Sequence, residues 1–258
     1  MVNSICTYGF IPMRSEPREQ AEMVSQLLFG ESFSVLEREG KWIKVTNHFD
    51  NYSGWVDAKL VEVLNPSEVE AWEKGAKWII PAPYVKIVSE PGNELHYLSG
   101  GSTVCFNRAE ENSFLIGTKT YEVPSNNQSE IKEGGIDEVA RSFLNTPYLW
   151  GGRSFFGIDC SGFTQIVYKI MGVALPRDAS QQVAEGTNVS FVEEAKKGDL
   201  AFFDNAEGNI THVGLCLDNG EIIHASGCVR IDKLDHQGIY NVASGKYSHK
   251  LRVIKRII

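Results

Sequence analysis

Apolar residues recur at helical spacing directly after a stretch of the chain that is punctuated by glycines. This spacing favours a helix that Gly172 would end. Cys160 would then lie in its first turn, with Asp159 as a possible N-cap. The face that the helix would bury consists of Phe163, Ile166, Val167, Ile170 and Met171.

Two apolar, β-prone segments follow further along the chain and predict neighbouring strands. The first covers residues 211–217 and has His212 near its start, after Thr211. The second covers residues 221–226 and carries His224. Asn219 and Gly220 between them are a hairpin signal. A turn at Gly198 leads into another apolar segment ahead of this pair. The pattern therefore predicts one histidine on each of two paired strands.

A cysteine at a helix start and two strand histidines together suggest nucleophilic chemistry. The partial positive charge of a helix N-terminus favours a thiolate, and a general base needs a second group to orient it. Cys160 alone is equally well explained as a buried structural residue, and a single strand histidine is usually a satisfied polar group. Two histidines downstream of such a cysteine favour the catalytic interpretation.

These segments resemble the NlpC/P60 family of cell-wall cysteine peptidases. The resemblance rests on PYLWGG and DCSGF around Cys160, and on GDLAFF, HVGL and IIHAS in that order. It implies a compact papain-like fold over the last half of the chain. It also implies Cys160 as nucleophile, His212 as general base and His224 as the residue that orients the base.

The first part of the chain has short alternating strands separated by turns, which is typical of a small barrel. We predict strands in residues 32–36, 42–45 and 54–56, and EGKWIKV with YSGWV resembles a bacterial SH3-type domain. A second β-rich stretch from Ile79 to Val123 is interpreted as a more divergent SH3-like domain. Its predicted strands are residues 84–88, 102–106, 114–118 and 119–123.

The expected fold class is α+β, with a papain-like peptidase domain whose helix-borne cysteine packs on an antiparallel sheet, preceded by two small SH3-like β-barrels. The expected domains are residues 1–64, 65–125 (a linker helix in 67–77 and the second SH3-like domain) and 126–258. Residues 136–144 are predicted to form the first helix of the peptidase domain.

This domain order resembles the peptidases that cut the γ-D-glutamyl bond next to an L-diamino acid in murein peptides with a free N-terminal L-Ala. The resemblance implies a closed ammonium pocket lined by carboxylates and hydroxyls. Tyr52 is equally well explained as an SH3 core or rim aromatic, and Glu22 as a solvated surface carboxylate. For Asp178 the alternative is a helix N-cap, and the binding role is favoured. Arg177 is our own candidate for the substrate carboxylate. The predicted substrate-binding residues are Glu22, Tyr52, Asp159, Ser161, Arg177 and Asp178.

Composition narrows the choice of partners. The chain has 258 residues, 42% of them hydrophobic, and a formal net charge of −8, which argues against nucleic acid or an anionic membrane as the main partner. The five cysteines show no metal-binding spacing, so we expect no metal and no cofactor. We expect a monomer that acts on a murein tripeptide or tetrapeptide. No signal peptide is visible, which favours a cytoplasmic location, or a periplasmic or exported one if a leader has been lost.

The mechanism we expect is acyl transfer through Cys160, with a thiolate–imidazolium pair with His212 that forms before substrate binds. Three other functions remain open: an endopeptidase on intact cell wall with SH3-like anchors, an acyltransferase on the same residues, and a non-enzymatic peptidoglycan-binding protein. The remaining histidines are assigned structural roles. They are His48, His96, His236 and His249.

Overall fold

The computed structural model describes residues 2–62, 64–81, 83–106, 112–123 and 135–258. Contacts divide the chain into two compact units, and each is described by itself. The N-terminal unit comprises Met1–Glu133 together with Trp150–Phe155, and the peptidase unit comprises Gly134–Leu149 together with Phe156–Ile258. The predicted boundary between residues 125 and 126 lies outside the described residues.

The first part of the N-terminal unit is an antiparallel sheet in the order β1-β4-β5-β6-β2-β3. Its inward side chains include Ile11, Phe33, Val45 and Val56, which enclose a small apolar core. The three predicted strands are present and longer than expected, whereas the three before them were not predicted. The strands are β1 (Val2–Ile5), β2 (Phe10–Arg14), β3 (Met23–Leu28), β4 (Ser32–Glu39), β5 (Trp42–Asn47) and β6 (Ser53–Asp57), followed by a 3₁₀ turn at Ala58–Leu60.

The second part of this unit begins with a helix and continues as a four-stranded antiparallel sheet and a two-stranded pair. Their orders within the described residues are β11-β12-β8-β9 and β10-β7. The strand β9 was not predicted from the sequence. The elements are α1 (Pro66–Lys74), β7 (Trp78–Ile79), β8 (Tyr84–Glu90), β9 (Glu94–Ser99), β10 (Thr103–Val104), β11 (Ser113–Ile116), β12 (Lys119–Glu122) and, further along the chain, β13 (Arg153–Ser154).

Both parts of the N-terminal unit share one apolar core. Phe29 from the first part packs with Trp72 and Phe114 from the second. The Trp72 indole donates to the Gly30 carbonyl at 3.0 Å. Gly30 has φ +78°, and a Cβ there would lie 1.9 Å from the Thr103 carbonyl oxygen, so only glycine allows this approach. The predicted boundary at residue 64 therefore falls inside one compact unit.

The peptidase unit is built on an antiparallel sheet that closes on itself. Its order is β15-β21-β16-β17-β18-β19-β20, and β20 also pairs with β21, so six strands form a barrel in the described residues. The strand that carries His224 has the predicted bounds. The elements are α2 (Ile136–Ser142), β14 (Gly157–Ile158), α3 (Cys160–Ile170), α4 (Ala179–Gln182), β15 (Thr187–Val189), a 3₁₀ turn (Val192–Glu194), β16 (Leu200–Asp204), β17 (Ile210–Leu217), a 3₁₀ turn (Asp218–Gly220), β18 (Glu221–Ser226), β19 (Cys228–Asp235), β20 (Gly238–Asn241) and β21 (Lys246–Arg256).

Helix α3 lies against β17 and β18, the strands that carry the two histidines, and against α2. Its residues from Cys160 to Lys169 are all buried, so the helix is enclosed on every side and not on one face alone. The Tyr168 hydroxyl donates to the Gly198 carbonyl at 2.5 Å, which ties the helix to the turn ahead of β16. Within the described parts of the chain, no helix is both long and apolar enough to cross a membrane.

Candidate active site

Cys160 is the first residue of helix α3. Asp159 is its N-cap, as predicted, and its carboxylate accepts from the Gly162 N–H at 2.7 Å. The Cys160 sulfur accepts backbone N–H groups from Ser161 and Val213. Since Val213 follows His212 directly in β17, this contact brings the thiol to the strand that carries the histidine.

The surroundings of the thiol and of the histidine both favour the neutral form of each group. Burial, and then the Asp159 carboxylate, raise the pKa of Cys160 to about 12, although the two N–H groups and Arg177 act in the opposite direction. Burial lowers the pKa of His212 well below its usual value, and His249 and His224 lower it further. These directions do not support a thiolate–imidazolium pair before substrate binds. Desolvation outweighs the helix N-terminus at this position.

A chain of buried side chains runs from His212 to Asp232. His212 Nε2 lies 2.8 Å from His224 Nδ1, and His224 Nε2 lies 3.2 Å from Asp232 Oδ2. An ionised carboxylate only accepts, so His224 carries its proton on Nε2. Its Nδ1 must then accept from His212 Nε2, which leaves His212 Nδ1 unprotonated. The arrangement thus makes Nδ1 the basic atom of His212.

Arg230 contacts both oxygens of Asp232. Its Nε lies 2.8 Å from Oδ2 without forming a hydrogen bond, and its Nη2 is one of two donors to Oδ1. Arg230 Nη2 donates to Oδ1 at 3.0 Å, and the backbone N–H of Val242 donates to the same atom at 3.3 Å. The carboxylate side chain is 1% exposed, so these contacts are shielded from water. No sequence signal pointed to Asp232, because it lies in an ordinary alternating strand, β19.

His249 from β21 stacks on the face of His212. The ring centroids are 4.0 Å apart and the planes are inclined by 21°. Phe203 from β16 contacts both rings, at 5.7 Å from His212 and 5.9 Å from His249. Sequence reasoning assigned His249 a structural role and did not predict that its ring packs directly on the candidate base.

Gly214 gives His224 the room it occupies. A Cβ at Gly214 would lie 2.9 Å from the His224 Cβ and 2.7 Å from Ile222 Cδ1. Contacts this short would displace β18 or its histidine. Close packing against the neighbouring strand β18 therefore explains why the HVGL segment has a glycine at this position.

Asp159, Ser161 and Arg177 form a buried cluster beside the cysteine. Arg177 donates through Nη1 to Asp159 Oδ1 and to Ser161 Oγ, both at 3.0 Å, and through Nη2 to Asp159 Oδ2 at 2.5 Å. Its exposure is 1%. The guanidinium is committed to a protein carboxylate, which corrects our expectation that it pairs with the substrate carboxylate. Its observed contacts hold the N-cap of helix α3 instead.

Asp178 lies at the N-cap of the short helix α4 and is half-buried. Its backbone N–H is within 3.3 Å of Gln181 Oε1, in a capping-box arrangement. The helix-capping alternative for Asp178 is therefore realised in the structure. Its role as a substrate ligand stays a prediction.

Glu22 and Tyr52 belong to the N-terminal unit. The Glu22 carboxylate is exposed and accepts from the indole N–H of Trp150, which is 60% exposed. Tyr52 is half-buried, and its backbone N–H donates to Asp50 Oδ1 at 3.0 Å. The roles of Glu22 and Tyr52 in binding substrate stay predictions.

Tyr148 is a further residue of the site that sequence reasoning did not select. Burial raises the pKa of its phenol, and the electrostatic effects of nearby Cys160 and Asp159 raise it further. The phenol therefore stays protonated and can donate a hydrogen bond beside the thiol. Its position in PYLWGG, directly after Pro147, was the available signal.

No group of three or more histidine, cysteine, aspartate or glutamate side chains is arranged to hold a metal ion in the part of the chain that the structure describes. The histidines of the site contact one another and Asp232, and their geometry serves proton transfer.

Comparison with protein families gives two matches. Residues 145–247 match the NlpC/P60 family, and residues 13–59 match the bacterial dipeptidyl-peptidase SH3 domain. The first match contains Cys160, His212 and His224, and the second lies within the first sheet of the N-terminal unit. An NlpC/P60 domain with an SH3-like domain ahead of it is thus established.

Three curated relatives extend over most of the chain. The gamma-D-glutamyl-L-lysine dipeptidyl-peptidase of Bacillus subtilis is 32% identical over 219 residues, which is 78% of this chain and 71% of the relative. The enzyme of that name from Bacillus cereus is 28% identical and covers 79% of this chain and 67% of its own. Dipeptidyl-peptidase 6 of Lysinibacillus sphaericus is 26% identical, and the match covers 92% of this chain and 93% of the relative.

Solved structures show the same fold. A crystal structure of an NlpC/P60 family protein from Bacillus cereus superimposes with a TM-score of 0.83 over 99% of both chains, at 22% identity. An NlpC/P60 endopeptidase from Photobacterium damselae gives a TM-score of 0.71 over 98% of this chain and 70% of its own, at 15% identity. From the match at 32% identity together with the family match around Cys160, this chain belongs to the NlpC/P60 family of cysteine peptidases.

Proposed function

We propose that this protein is a cysteine peptidase that hydrolyses the bond between γ-D-Glu and an L-diamino acid in murein peptides with a free N-terminal L-Ala, and releases L-Ala-γ-D-Glu. The observation that carries the proposal is the buried hydrogen-bond chain from His212 through His224 to Asp232. Cys160 accepts from the backbone N–H of Val213, the residue that follows His212. The bond specificity is supported by the names of relatives that are 32% and 28% identical to this chain.

The reaction begins from a neutral thiol and a neutral imidazole. As the Cys160 sulfur attacks the γ-carbonyl carbon of D-Glu, its proton moves to His212 Nδ1, so the charged pair forms only during attack. The imidazolium then protonates the departing amine of the diamino acid, and the C–N bond breaks to leave a thioester. Water, deprotonated by His212, attacks the thioester and regenerates the thiol.

The negative oxygen of the tetrahedral intermediate needs donors that are already in place. The Ser161 backbone N–H at the start of α3 faces the sulfur, and the Tyr148 phenol stays protonated beside it. We infer that these two groups donate to the oxygen. Arg177 contributes indirectly, because it fixes the Asp159 N-cap and through it the first turn of the helix.

The finer architecture is also part of the proposal. We infer that the sheet of β8, β9, β11 and β12 is a second SH3-like domain, and that the peptidase unit is a papain-like arrangement of a cysteine-bearing helix on an antiparallel sheet. We propose Asp159, Ser161, Asp178, Glu22 and Tyr52 as ligands of the substrate's ammonium group. Carboxylates are the partners that a buried ammonium requires.

Digestion of synthetic peptides tests the function. L-Ala-γ-D-Glu-L-Lys and its meso-diaminopimelate counterpart would each be supplied with a free and with an acetylated N-terminus, and the products identified by mass spectrometry. We expect release of L-Ala-γ-D-Glu from the free peptides only, and none with Cys160→Ala.

The other outcomes of the digestion separate the rival functions. Equal cleavage of free and acetylated peptides would overturn the ammonium requirement and favour an endopeptidase on intact wall. No cleavage, but transfer of the acyl group to an added amine, would favour an acyltransferase. Binding of peptidoglycan without any turnover would favour a non-enzymatic protein.

A further inference from the structure

Asp232 is a buried carboxylate that takes no direct part in the proposed reaction. It contacts His224 and not the thiol or the base, and its other oxygen accepts from Arg230 and from the backbone of Val242. A carboxylate with a side-chain exposure of 1% is costly to bury unless it is paired and hydrogen-bonded. Asp232 meets this condition, which raises the question of what it contributes.

We propose that Asp232 is a positioning residue that sets the tautomer of the base two hydrogen bonds away. Held by Arg230 and the Val242 N–H, it keeps the proton of His224 on Nε2. His224 Nδ1 then accepts from His212 Nε2, and His212 Nδ1 stays free to take the Cys160 proton. Neither imidazole has to move for this arrangement to fail, because reversing the two protons keeps every heavy atom in place.

The contacts of Asp232 predict how that reversal can be forced. Asparagine at position 232 has one oxygen and one NH₂ in place of two oxygens. The Oδ1 position faces two donors, Arg230 Nη2 at 3.0 Å and the Val242 N–H at 3.3 Å. Arg230 Nε lies 2.8 Å from Oδ2 but makes no hydrogen bond there, so the amide oxygen is favoured at Oδ1. The NH₂ group is thereby directed at His224 Nε2.

A donor at that position reverses the chain of hydrogen bonds. His224 must then accept through Nε2 and carry its proton on Nδ1, so it donates to His212 Nε2. His212 is left with its proton on Nδ1, the atom that should take the thiol proton. The base is present and correctly placed, but in the wrong tautomer.

The test is the isosteric variant Asp232→Asn with three readouts. We expect kcat for L-Ala-γ-D-Glu-L-Lys to fall at least about 100-fold with KM within about threefold, since the same tautomer error in a Ser-His-Asp triad costs about 10⁴-fold. Alkylation of Cys160 by iodoacetamide should slow as well. ¹⁵N NMR of histidine-labelled protein should show the His212 proton moving from Nε2 to Nδ1.

The chain offers a matched control three residues along the same strand. Asp235 accepts from the Tyr247 hydroxyl and from the Gln237 N–H, and it contacts none of the site histidines. Asp235→Asn makes the same chemical change on β19 and should keep kcat within about twofold. Its histidine ¹⁵N spectrum should match that of the unmodified protein.

A double variant distinguishes a tautomer effect from general damage. Arg230→Met with Asp232→Asn removes Nη2 from Oδ1, and it also removes Nε, which lies 2.8 Å from Oδ2 without a hydrogen bond to it. Only the longer Val242 contact of 3.3 Å then holds the amide oxygen at Oδ1, so the amide can turn its oxygen toward His224. Part of the activity lost in Asp232→Asn should return, although a second residue has been changed. Further loss in the double variant would contradict the tautomer account.

The inference rests on the proposed function only through the kcat readout. If the unmodified protein does not cleave the tripeptide, the proposed function fails, and the NMR and alkylation readouts still decide the role of Asp232. The inference is overturned if His212 in Asp232→Asn keeps its proton on Nε2, or if Cys160 is alkylated at the unmodified rate.

Discussion

The N-terminal unit and the peptidase unit each bury a carboxylate, and they use it for different purposes. In the N-terminal unit Glu31 is paired with Arg153, with 2.9 Å from Nη1 to Oε2 and 2.9 Å from Nη2 to Oε1. In the peptidase unit Asp232 faces His224, which in turn faces His212. Both carboxylates contact an arginine, Arg153 for Glu31 and Arg230 for Asp232, and Asp232 in addition faces a group that can exchange its proton.

The Glu31–Arg153 pair has a single arrangement. The guanidinium also donates to the Gln26 carbonyl at 2.6 Å and lies 4.0 Å from Asp50 Oδ2, and its side chain is fully buried. Arginine does not lose its proton in a protein, so no alternative arrangement of hydrogens exists. A change at this pair should therefore act on folding stability.

The Asp232–His224–His212 chain has two arrangements that share one set of heavy-atom positions. They differ only in which ring nitrogens carry hydrogen. Exchanging one for the other should therefore change the free energy of unfolding little and the rate of turnover strongly. A buried carboxylate must therefore be judged by all its partners. Glu31, paired with arginine, stabilises the fold, whereas Asp232 also contacts a histidine and so selects a protonation state.

The largest effect is expected at the nucleophile. Cys160→Ala removes the only group that forms the thioester, so turnover should fall by more than about 10⁴-fold. Stability should change little, because the buried thiol is replaced by a smaller apolar group. Residual cleavage above about 1% of the original rate, after removal of contaminating peptidases, would rule Cys160 out as the nucleophile.

The next largest effect is expected at the structural pair. Arg153→Met leaves Glu31 buried without its cation, which should lower the free energy of unfolding by about 3–5 kcal/mol. Urea denaturation followed by tryptophan fluorescence measures this. The double variant Arg153→Met with Glu31→Gln should recover part of the lost stability, because the unpaired charge is removed. Equal destabilisation of the single and the double variant would show that the unpaired Glu31 is not the cause.

The pH profile should separate neutral and charged resting states. Burial lowers the pKa of His224 to about 4, with Asp232 acting in the opposite direction. Below that pH His224 gains a proton on Nδ1 and can no longer accept from His212, so kcat/KM should fall about tenfold per pH unit. A limb near pH 6.5 would instead indicate that a histidine of the site titrates normally.

Stability must be measured alongside that profile. The unfolded chain binds a proton on this histidine near pH 6.5, whereas the folded chain does so only near 4. The unfolded state therefore holds more protons in this window, and the free energy of unfolding should decrease as the pH falls through it. Activity at each pH should be expressed per folded molecule.

The smallest effect is expected at the stacked ring. His249→Ala removes the ring that lies 4.0 Å from His212 and frees the base to rotate. Aromatic pairs contribute about 0.5–1.5 kcal/mol, so kcat should fall about 2- to 12-fold. His249→Phe keeps a flat ring and should recover most of that loss. Equal kcat values for the two variants would show that stacking does not position the base.

Features that depend on residues close together in the sequence could be predicted, and those that depend on distant residues could not. The Asp159 N-cap, helix α3 and the hairpin of β17 and β18 come from neighbouring residues, and all were predicted. Asp232 and His249 reach the site only because β19 and β21 belong to one closed barrel. No local pattern records such closure, and β19 was indistinguishable from any alternating strand.

The resting state of the nucleophile was mispredicted for a related reason. The helix N-terminus at Cys160 is visible in the sequence and favours a thiolate, whereas burial is a property of the folded unit and favours the thiol. The Arg177 contact with Asp159 joins residues 18 positions apart and was likewise invisible. Local sequence patterns therefore identified Cys160, His212 and His224, whereas the protonation states that these residues favour depend on burial in the folded unit.

One paired measurement tests the contrast between the two carboxylates most directly: kcat for the tripeptide and the free energy of unfolding, both determined for Arg153→Met and Asp232→Asn. We expect Arg153→Met to lose about 3–5 kcal/mol of stability. We expect Asp232→Asn to stay within about 1 kcal/mol of the unmodified protein while its kcat falls at least about 100-fold. An Asp232→Asn protein that is destabilised by several kcal/mol, yet turns over normally once folded, would contradict the account.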